Sequence, residues 1–204
     1  MSMQKAVIFD YDDTLVASSE ALYGADSKTA TLLGLAPASR EEYFRVWGRP
    51  HEEMIGKLYP GVDFGRYLET YKTVYDPSGV RLVEGAREVL AELSASGVML
   101  AVLSAKSSAF LEEHLRLNGI RDYFAYIHSA ETSRYTKPNP RVFDDVLEHL
   151  GIAPYDAVYV GDMVIDCVAA SAAHMGFVGV ASGIDTVKKF HDGGAGMSLT
   201  AWRS

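Results

Sequence analysis

Short runs of almost continuous apolar residues, separated by segments with helical periodicity, constrain the fold of this chain most strongly. Near-continuous apolarity, rather than alternation of apolar and polar residues, is typical of strands that are covered on both faces of a sheet. From residue 84 onward the runs alternate with helical patterns, which favours βαβ units and a parallel sheet. We therefore predict a doubly wound, Rossmann-like α/β core with strands in the runs 5–9, 98–103, 123–128, 157–160 and 177–181.

Residues 15–82 depart from this pattern. They contain no recognisable strand, and glycines and prolines separate their helical stretches, which are 21–33, 41–47, 52–58 and 67–74. This pattern predicts a small α-helical domain inserted after the first strand, with Asp76–Gly79 as the linker through which the chain returns. We expect a core domain formed by residues 1–14 and 83–204, and a helical cap domain formed by residues 15–82.

One helix of the predicted core has a clear start signal. Apolar residues recur with a period of 3.6 over residues 142–150, as expected for one face of a helix. Asn139 precedes this stretch as a candidate N-cap, and Pro140 suits the first turn.

Composition narrows the class of protein and its partners. The chain has 204 residues, a formal net charge of −8 and 48% hydrophobic residues, which is typical of a globular protein. It lacks a basic cluster for a phosphate backbone and an apolar stretch of the roughly 18 residues that span a bilayer. We therefore expect no nucleic-acid or membrane partner. The single cysteine, Cys167, and the lack of a signal-peptide pattern in residues 1–8 predict a cytoplasmic protein.

Polar residues gather where the predicted strands end. Acids follow the first and fourth runs, a hydroxyl follows the second, and a lysine lies in the loop after the third. In open α/β sheets, ligands bind outside the carboxyl ends of the strands, so these side chains are expected at one edge of the sheet. They are Asp10, Asp12, Thr14, Ser104, Lys137, Asp162 and Asp166.

The paired acids allow more than one interpretation. Asp10 and Asp12 are two residues apart and lean the same way on an extended segment, where they repel unless a cation or a proton intervenes. One could act as a nucleophile and the other transfer a proton, although acid-rich turns are also common at strand ends. Asp162 and Asp166, spaced i and i+4, suit Mg²⁺ or simply the N-terminus of a helix.

The ordered set of motifs resembles that of a known family, the haloacid dehalogenase superfamily of phosphohydrolases. The segments that carry this resemblance are Phe9-Asp10-Tyr11-Asp12-Asp13-Thr14, Ser104, Lys137-Pro138 and Gly161-Asp162-x-x-x-Asp166. The resemblance spans essentially the whole chain. The insert resembles the small helical cap of the phosphoglycolate phosphatase and β-phosphoglucomutase branch, and residues 47–50 resemble its substrate loop.

The resemblance implies a Mg²⁺-dependent phosphohydrolase with two catalytic acids. Asp10 would attack phosphorus and form an aspartyl phosphate. Asp12 would protonate the leaving oxygen and then deprotonate the attacking water, and Thr14 would orient Asp12. Dehalogenating members lack an acid at the position of Asp12, so its presence favours phosphate chemistry over cleavage of a carbon–halogen bond.

The resemblance also implies the remaining contacts. Ser104, Ala105 and Lys137 would contact the phosphate, although Ala105 stands where asparagine is usual and so lacks one hydrogen-bonding side chain. Asp13 replaces a frequent glycine. The Mg²⁺ ligands would come from Asp10, the main-chain carbonyl of Asp12, Asp162 and Asp166, with Asp166 in either the inner or the outer shell.

The predicted substrate is a small phosphorylated metabolite, and phosphoglycolate, nucleoside monophosphates, sugar phosphates and pyrophosphate all remain open. Arg49 of the cap is expected to bind the substrate, because its Gly48-Arg49-Pro50 turn resembles the substrate loop of the phosphoglycolate phosphatase and β-phosphoglucomutase branch. An arginine there would suit a small acidic leaving group, since a guanidinium pairs well with a carboxylate. Two alternatives remain open: a phosphosugar mutase of the β-phosphoglucomutase type, and a phosphoacceptor signalling module without turnover. The chain is expected to be a monomer or a homodimer.

Overall fold

The structure, a computed structural model, describes residues 5–180 and the backbone of residues 198–199. Its strands, in chain order, are β1 (Ala6–Phe9), β2 (Val16–Ala17), β3 (Arg81–Leu82), β4 (Met99–Leu103), β5 (Tyr126–His128), β6 (Ala157–Gly161), β7 (Gly176–Gly179) and β8 (Ser198–Leu199). Its α-helices are α1 (Ser19–Leu32), α2 (Arg40–Arg45), α3 (His51–Leu58), α4 (Phe64–Val74), α5 (Ala86–Ala95), α6 (Ser108–Leu117), α7 (Asp144–Leu150) and α8 (Val164–Ala172). None of these helices combines the length and the hydrophobicity that crossing a bilayer requires.

A parallel sheet forms the centre of the fold, with the strand order β5-β4-β1-β6-β7-β8. The pairings between these neighbours are all parallel. At the end of β1, Phe9 lies opposite Val102 of β4 and Val160 of β6. The residues that follow these three strands therefore emerge side by side at one edge. This arrangement confirms the predicted doubly wound α/β fold.

The side chains of β1 alternate between the two covered faces of the sheet. Ile8 belongs to a buried cluster that includes Phe143 and Tyr159. Its neighbour Phe9 points the other way, and its ring meets that of Phe124 edge-on, with 6.4 Å between the centroids. Because both faces are covered, each residue of this strand is apolar, which explains the uninterrupted run in the sequence.

The predicted strands are present; β1 and β4 each begin one residue later than their apolar runs, and two other strands differ more. β5 covers only the second half of the run 123–128, because Arg121–Tyr123 forms a turn of 3-10 helix just before it. β7 ends at Gly179, and the predicted last residue of its run, Ala181, lies outside the described residues. Most of the predicted core beyond residue 180 likewise lies outside them.

The start signal at Asn139 works as expected, but the helix that follows it changes type. The side chain of Asn139 accepts a hydrogen bond of 3.0 Å from the amide of Arg141. The first turn, Pro140–Phe143, is 3-10 helix, and α7 continues from it at Asp144. The helix ends at Gly151, whose φ of 66° lies in the left-handed region that glycine adopts easily.

Contacts divide the chain into two compact units, one formed by Met1–Ala17 and Leu82–Ser204, the other by Ser18–Arg81. The second unit contains α1–α4, which overlap the four helical stretches seen in the sequence. The two-residue strands β2 and β3 lie at the ends of the insert, where the sequence analysis found no strand. Two residues are too few to produce a periodic pattern, so this signal could not be read.

Candidate active site

The candidate site lies at the carboxyl edge of the sheet, within the unit that contains the sheet. Asp10 directly follows β1, Ser104 follows β4 and Asp162 follows β6. The neighbouring strands hold the first two of these residues through their main chains. The amide of Asp10 donates to the carbonyl of Val160 at 2.8 Å, and that of Ser104 donates to His128 at 3.0 Å. The sheet therefore brings together residues far apart in sequence, as predicted.

Lys137 is the buried cation of the site. Its Nζ lies 3.1 Å from Asp10 Oδ1 and 2.6 Å from Asp166 Oδ1, and it donates to the hydroxyl of Tyr159 at 3.0 Å. Burial alone would lower the pKa of Lys137, but the charges of Asp10 and Asp166 hold it well above its ordinary value. Lys137 is therefore a permanent positive charge beside the two acids.

Asp10 is buried, and its environment favours the protonated form. Burial is the main cause, with smaller contributions from Asp166 and Asp12, and Lys137 opposes them; together they raise the pKa of Asp10 to about 7. A carboxyl group with this pKa readily loses its proton when further positive charge arrives. Asp10 is thus suited to pairing with a cation.

Asp162 is a buried acid, and one of its carboxylate oxygens has no hydrogen-bond partner in the part of the chain that the structure describes. Its Oδ1 accepts a hydrogen bond of 3.3 Å from Thr14, whereas its buried Oδ2 has no hydrogen-bond partner among the described residues. Burial and the neighbouring Asp166 raise its pKa well above the ordinary value. Oxygens of Asp10, Asp162 and Asp166 lie within 4.8 Å of one another. The cluster is therefore compatible with a hard divalent cation, which prefers carboxylate oxygens.

Asp166 differs from Asp162 because the protein engages both of its oxygens. Oδ1 pairs with Lys137, and Oδ2 accepts a hydrogen bond of 2.9 Å from the amide of Met163. The space for this side chain exists because residue 161 is glycine: a Cβ there would lie 2.5 Å from Asp166 Oδ2. The clash explains why the first residue of the Gly161-Asp162-x-x-x-Asp166 motif is a glycine.

Asp12 lies near a second lysine, which the sequence analysis did not single out as a site residue. Lys106 Nζ is 3.4 Å from Asp12 Oδ2, and both side chains are partly accessible. The amide of Lys106 also donates to Ser104 Oγ at 3.2 Å, across the half-buried Ala105. The sequence feature that could have identified Lys106 is its position, two residues after Ser104 in the turn that follows β4.

Two further details concern residues of the first motif. The hydroxyl of Thr14, a residue expected to orient Asp12, donates to Asp162 Oδ1 at 3.3 Å. Asp13 adopts a φ of 52°, in the left-handed region. This conformation explains why glycine is frequent there and why an aspartate, which tolerates the region better than most residues, can replace it.

Tyr159 was missed altogether. It lies in β6, where its ring packs edge-on against Phe143 in the core and its hydroxyl reaches Lys137. Burial and the charge of Asp10 raise the pKa of Tyr159 well above its usual value. An aromatic residue inside an apolar strand carries no sequence signal for such a contact.

Arg49 belongs to the other compact unit. It lies just before α3, where its Nε is 3.0 Å from Glu53 Oε1 and its Nη1 donates to the carbonyl of Val46 at 3.3 Å. Its side chain is 41% exposed.

Comparison with known proteins assigns the family. The profile of haloacid dehalogenase-like hydrolases matches residues 7–180, which include each of the motif residues named above. The chain belongs to this family. This haloacid dehalogenase-like hydrolase is therefore an enzyme whose candidate active site is the strand-end cluster, and the resemblance stated from the sequence is confirmed.

Relatives of the hydrolase are named for phosphate chemistry. It is 30% identical over 190 residues to the phosphoglycolate phosphatase of Agrobacterium fabrum, an alignment that covers 88% of this chain and 82% of the relative. It is 31% identical over 191 residues to that of Pectobacterium atrosepticum, covering 88% and 81%. A Haemophilus somnus crystal structure, described as a predicted phosphoglycolate phosphatase, has the same fold, with a TM-score of 0.88, 22% identity and coverage of 98% and 96%.

The steric role of Gly161 predicts the effect of adding one methyl group. Gly161→Ala should lower the free energy of unfolding by about 1–3 kcal/mol, because the side chain of Asp166 must move away from Met163 and Lys137. Urea denaturation measures this loss. Gly56→Ala, in α3 with open space around the new methyl group, is the control and should be neutral or slightly stabilising. Equal stability of the two variants would contradict the steric explanation.

Removal of the buried cation should destabilise the hydrolase in a pH-dependent manner. Without added metal, Lys137→Met should cost about 3–5 kcal/mol at about pH 8, because buried carboxylates lose their partner. Lys137 lowers the pKa of Asp10, so without it Asp10 has a pKa still further above its unfolded value, and the cost should shrink as the pH falls toward about 5 and Asp10 is protonated. Chemical denaturation at both pH values tests this. Arg45→Met, which breaks an exposed pair with Glu41, should cost less than about 1 kcal/mol at either pH.

Proposed function

We propose that this haloacid dehalogenase-like hydrolase is a Mg²⁺-dependent phosphatase that acts on a small phosphorylated metabolite through an aspartyl-phosphate intermediate on Asp10. The observation that carries the proposal is the separation of the two acids of the first motif. Asp10 is buried and pairs with Lys137, whereas Asp12, two residues on, is partly accessible and lies near Lys106. The two carboxylates therefore have different surroundings, as a nucleophile and a proton-transfer group require.

The reaction would proceed in two displacements. An oxygen of Asp10 attacks phosphorus, the bond from phosphorus to the leaving oxygen breaks, and Asp12 gives its proton to that oxygen. Water then attacks the phosphorus of the aspartyl phosphate, loses a proton to Asp12, and releases phosphate and the free carboxylate of Asp10. Asp12 thus returns to its starting protonation state.

Charge neutralisation is the main demand of this chemistry, because an anionic nucleophile approaches an anionic phosphate. Lys137 supplies a fixed positive charge beside Asp10. We propose that Ser104 Oγ and the main chain of Ala105 bind phosphoryl oxygens together with Lys137.

The Mg²⁺ would be held by Asp10, Asp162 and the main-chain carbonyl of Asp12. Among the residues that the structure describes, none donates a hydrogen bond to Oδ2 of Asp162, which supports this assignment. Both oxygens of Asp166 are engaged by Lys137 and Met163, which favours a supporting position for it in the outer shell. When bound, Mg²⁺ supplies positive charge that offsets the repulsion between nucleophile and phosphate.

The proposed substrate is a phosphate monoester whose leaving group carries a carboxylate, such as 2-phosphoglycolate. Two relatives that are 30% and 31% identical to the hydrolase over the aligned residues are named phosphoglycolate phosphatases. We assign the insert as the cap that selects the leaving group, with the partly exposed side chain of Arg49 binding the carboxylate.

Replacement of the nucleophile provides the most direct test of the phosphatase proposal. Asp10→Asn should reduce turnover of p-nitrophenyl phosphate at least about a thousandfold, since the amide cannot form the acyl phosphate. Release of p-nitrophenol with Mg²⁺ present measures this. Asp156→Asn is the control, because this buried acid precedes β6 at the opposite edge of the sheet and should keep activity. Equal activity of Asp10→Asn and the wild type would refute the mechanism.

Products of β-glucose 1-phosphate separate the phosphatase from the alternatives. A phosphatase releases glucose and phosphate, whereas a mutase produces glucose 6-phosphate. A stable phosphoryl adduct without turnover would instead identify a phosphoacceptor module.

Mg²⁺ should stabilise the folded chain by binding the acid cluster. At concentrations about a hundredfold above the dissociation constant, it should raise the melting temperature of the wild type by about 5–10 °C. The increase should be smaller at about pH 6 than at pH 8, because Asp10, with a pKa of about 7, must then release a proton to bind the ion. Asp162→Asn should abolish most of the increase, as measured by differential scanning fluorimetry. An unchanged increase in this variant would place the ion elsewhere.

A further inference from the structure

The insert contains a buried carboxylate that the proposed mechanism does not use. Asp26 lies in the middle of α1 and is 2% exposed. A carboxylate at such a position is unfavourable unless donors satisfy it, because burial removes its hydration. Its surroundings therefore indicate why the chain keeps an acid there.

Each of the other three helical segments of the insert provides one donor to Asp26. The hydroxyl of Tyr43 in α2 donates to Oδ2 at 2.6 Å, and that of Tyr67 in α4 donates to Oδ1 at 3.0 Å. Nε2 of His51, the first residue of α3, lies 2.9 Å from Oδ1. We call these four residues the Asp26 cluster. A single carboxylate thus joins α1, α2, α3 and α4.

The two tyrosines of the Asp26 cluster are dependable donors. Burial, reinforced by the charge of Asp26, raises the pKa of Tyr43 and that of Tyr67 well above the ordinary tyrosine value. Both hydroxyls therefore keep their protons across the physiological pH range.

Ring contacts hold His51 in addition to its contact with Asp26. Its ring lies edge-on to those of Phe64 and Tyr71, with 5.6 and 4.9 Å between centroids.

The Asp26 cluster anchors both ends of the short segment that carries Arg49. Before Arg49, the buried ring of Trp47 packs on that of Tyr43, with 5.7 Å between centroids. After Arg49, His51 is bonded directly to Asp26. Arg49 therefore lies between two residues that are tied to the same carboxylate, while its own side chain stays accessible beside Glu53. Anchors of this kind restrict the main chain without contacting a ligand.

We propose that His51 and Asp26 form a positioning pair, which fixes the segment 47–51 so that the guanidinium of Arg49 is presented in one orientation to the carboxylate of the substrate. This inference rests on the proposed function, in which Arg49 binds that carboxylate. His51 and Asp26 do not contact substrate in this arrangement; they act through Arg49. Bidentate pairing depends on orientation, so a loosened segment would weaken substrate binding more than it slows chemistry.

The experiment is a double-mutant cycle between His51 and Arg49, with 2-phosphoglycolate as the substrate. His51→Leu removes the nitrogen that meets Asp26 and should raise KM about tenfold, with a much smaller change in kcat. His51→Gln keeps an N–H donor and should recover most of this loss. Arg49→Ala should raise KM at least as much, and adding His51→Leu to it should have little further effect, because the residue being positioned is gone.

Controls separate positioning from general damage to the insert. Lys72→Gln, an exposed change in α4, should leave KM at the wild-type value. Far-UV circular dichroism and melting curves identify any variant that fails to fold. If His51→Leu fails to fold, Tyr43→Phe replaces it in the same cycle, since it removes another hydrogen bond to Asp26 while keeping the ring against Trp47.

The outcomes distinguish the positioning pair from the phosphatase itself. If the wild type hydrolyses neither p-nitrophenyl phosphate nor 2-phosphoglycolate, the proposed function fails. If it hydrolyses both but the effects of His51→Leu and Arg49→Ala multiply, the positioning pair is refuted and the phosphatase stands. An unchanged KM in Arg49→Ala would also overturn the positioning pair. The positioning pair is supported if the increases in KM caused by His51→Leu and Arg49→Ala do not multiply and His51→Gln restores most of the KM.

Discussion

The buried contact between Lys137 and the acids of the site is the interaction on which the rest of this structure depends. One lysine meets Asp10 and Asp166 directly, and a third buried acid, Asp162, lies beside them. The cluster therefore contains more acidic groups than basic ones. Burial makes such an imbalance costly, and protonation or a bound cation can relieve it. The raised pKa of Asp10 shows that protonation is favoured there. Oδ2 of Asp162 has no hydrogen-bond partner among the described residues, so it is a suitable ligand for a bound cation.

The sheet makes this unfavourable cluster possible. Parallel pairing brings the ends of β1, β4 and β6 together, and main-chain hydrogen bonds hold Asp10 and Ser104 in place before any side chain contributes. Both faces of β1 are covered by apolar residues, whose burial offsets the cost of the charges at its end. Gly161 shows how closely the backbone is adapted, because a Cβ there would lie only 2.5 Å from Asp166 Oδ2.

The sequence predicted the strand ends well because two strong signals coincide there: an apolar run stops and a polar residue follows. Asp10, Ser104 and Asp162 were all found in this way. Tyr159 was not, because its hydroxyl contact depends on how a loop residue, Lys137, reaches across the sheet. The partner of Thr14 was missed for a related reason. Asp12 is near it in sequence, but the pairing of β1 with β6 brings Asp162 to its hydroxyl.

The Asp26 cluster and the acid cluster at the sheet edge use buried carboxylates in opposite ways. Side chains from three separate helices form hydrogen bonds with Asp26, so the protein itself stabilises this carboxylate without an ion. The acids at the sheet edge share one lysine and stay short of positive charge, which keeps them responsive to an incoming cation. A satisfied carboxylate makes one arrangement of the surrounding helices more favourable than others, whereas an unsatisfied one provides binding energy for a ligand. The same type of side chain can therefore organise the insert or, in the core, form a cluster compatible with a cation, and the protein donors around it make the difference.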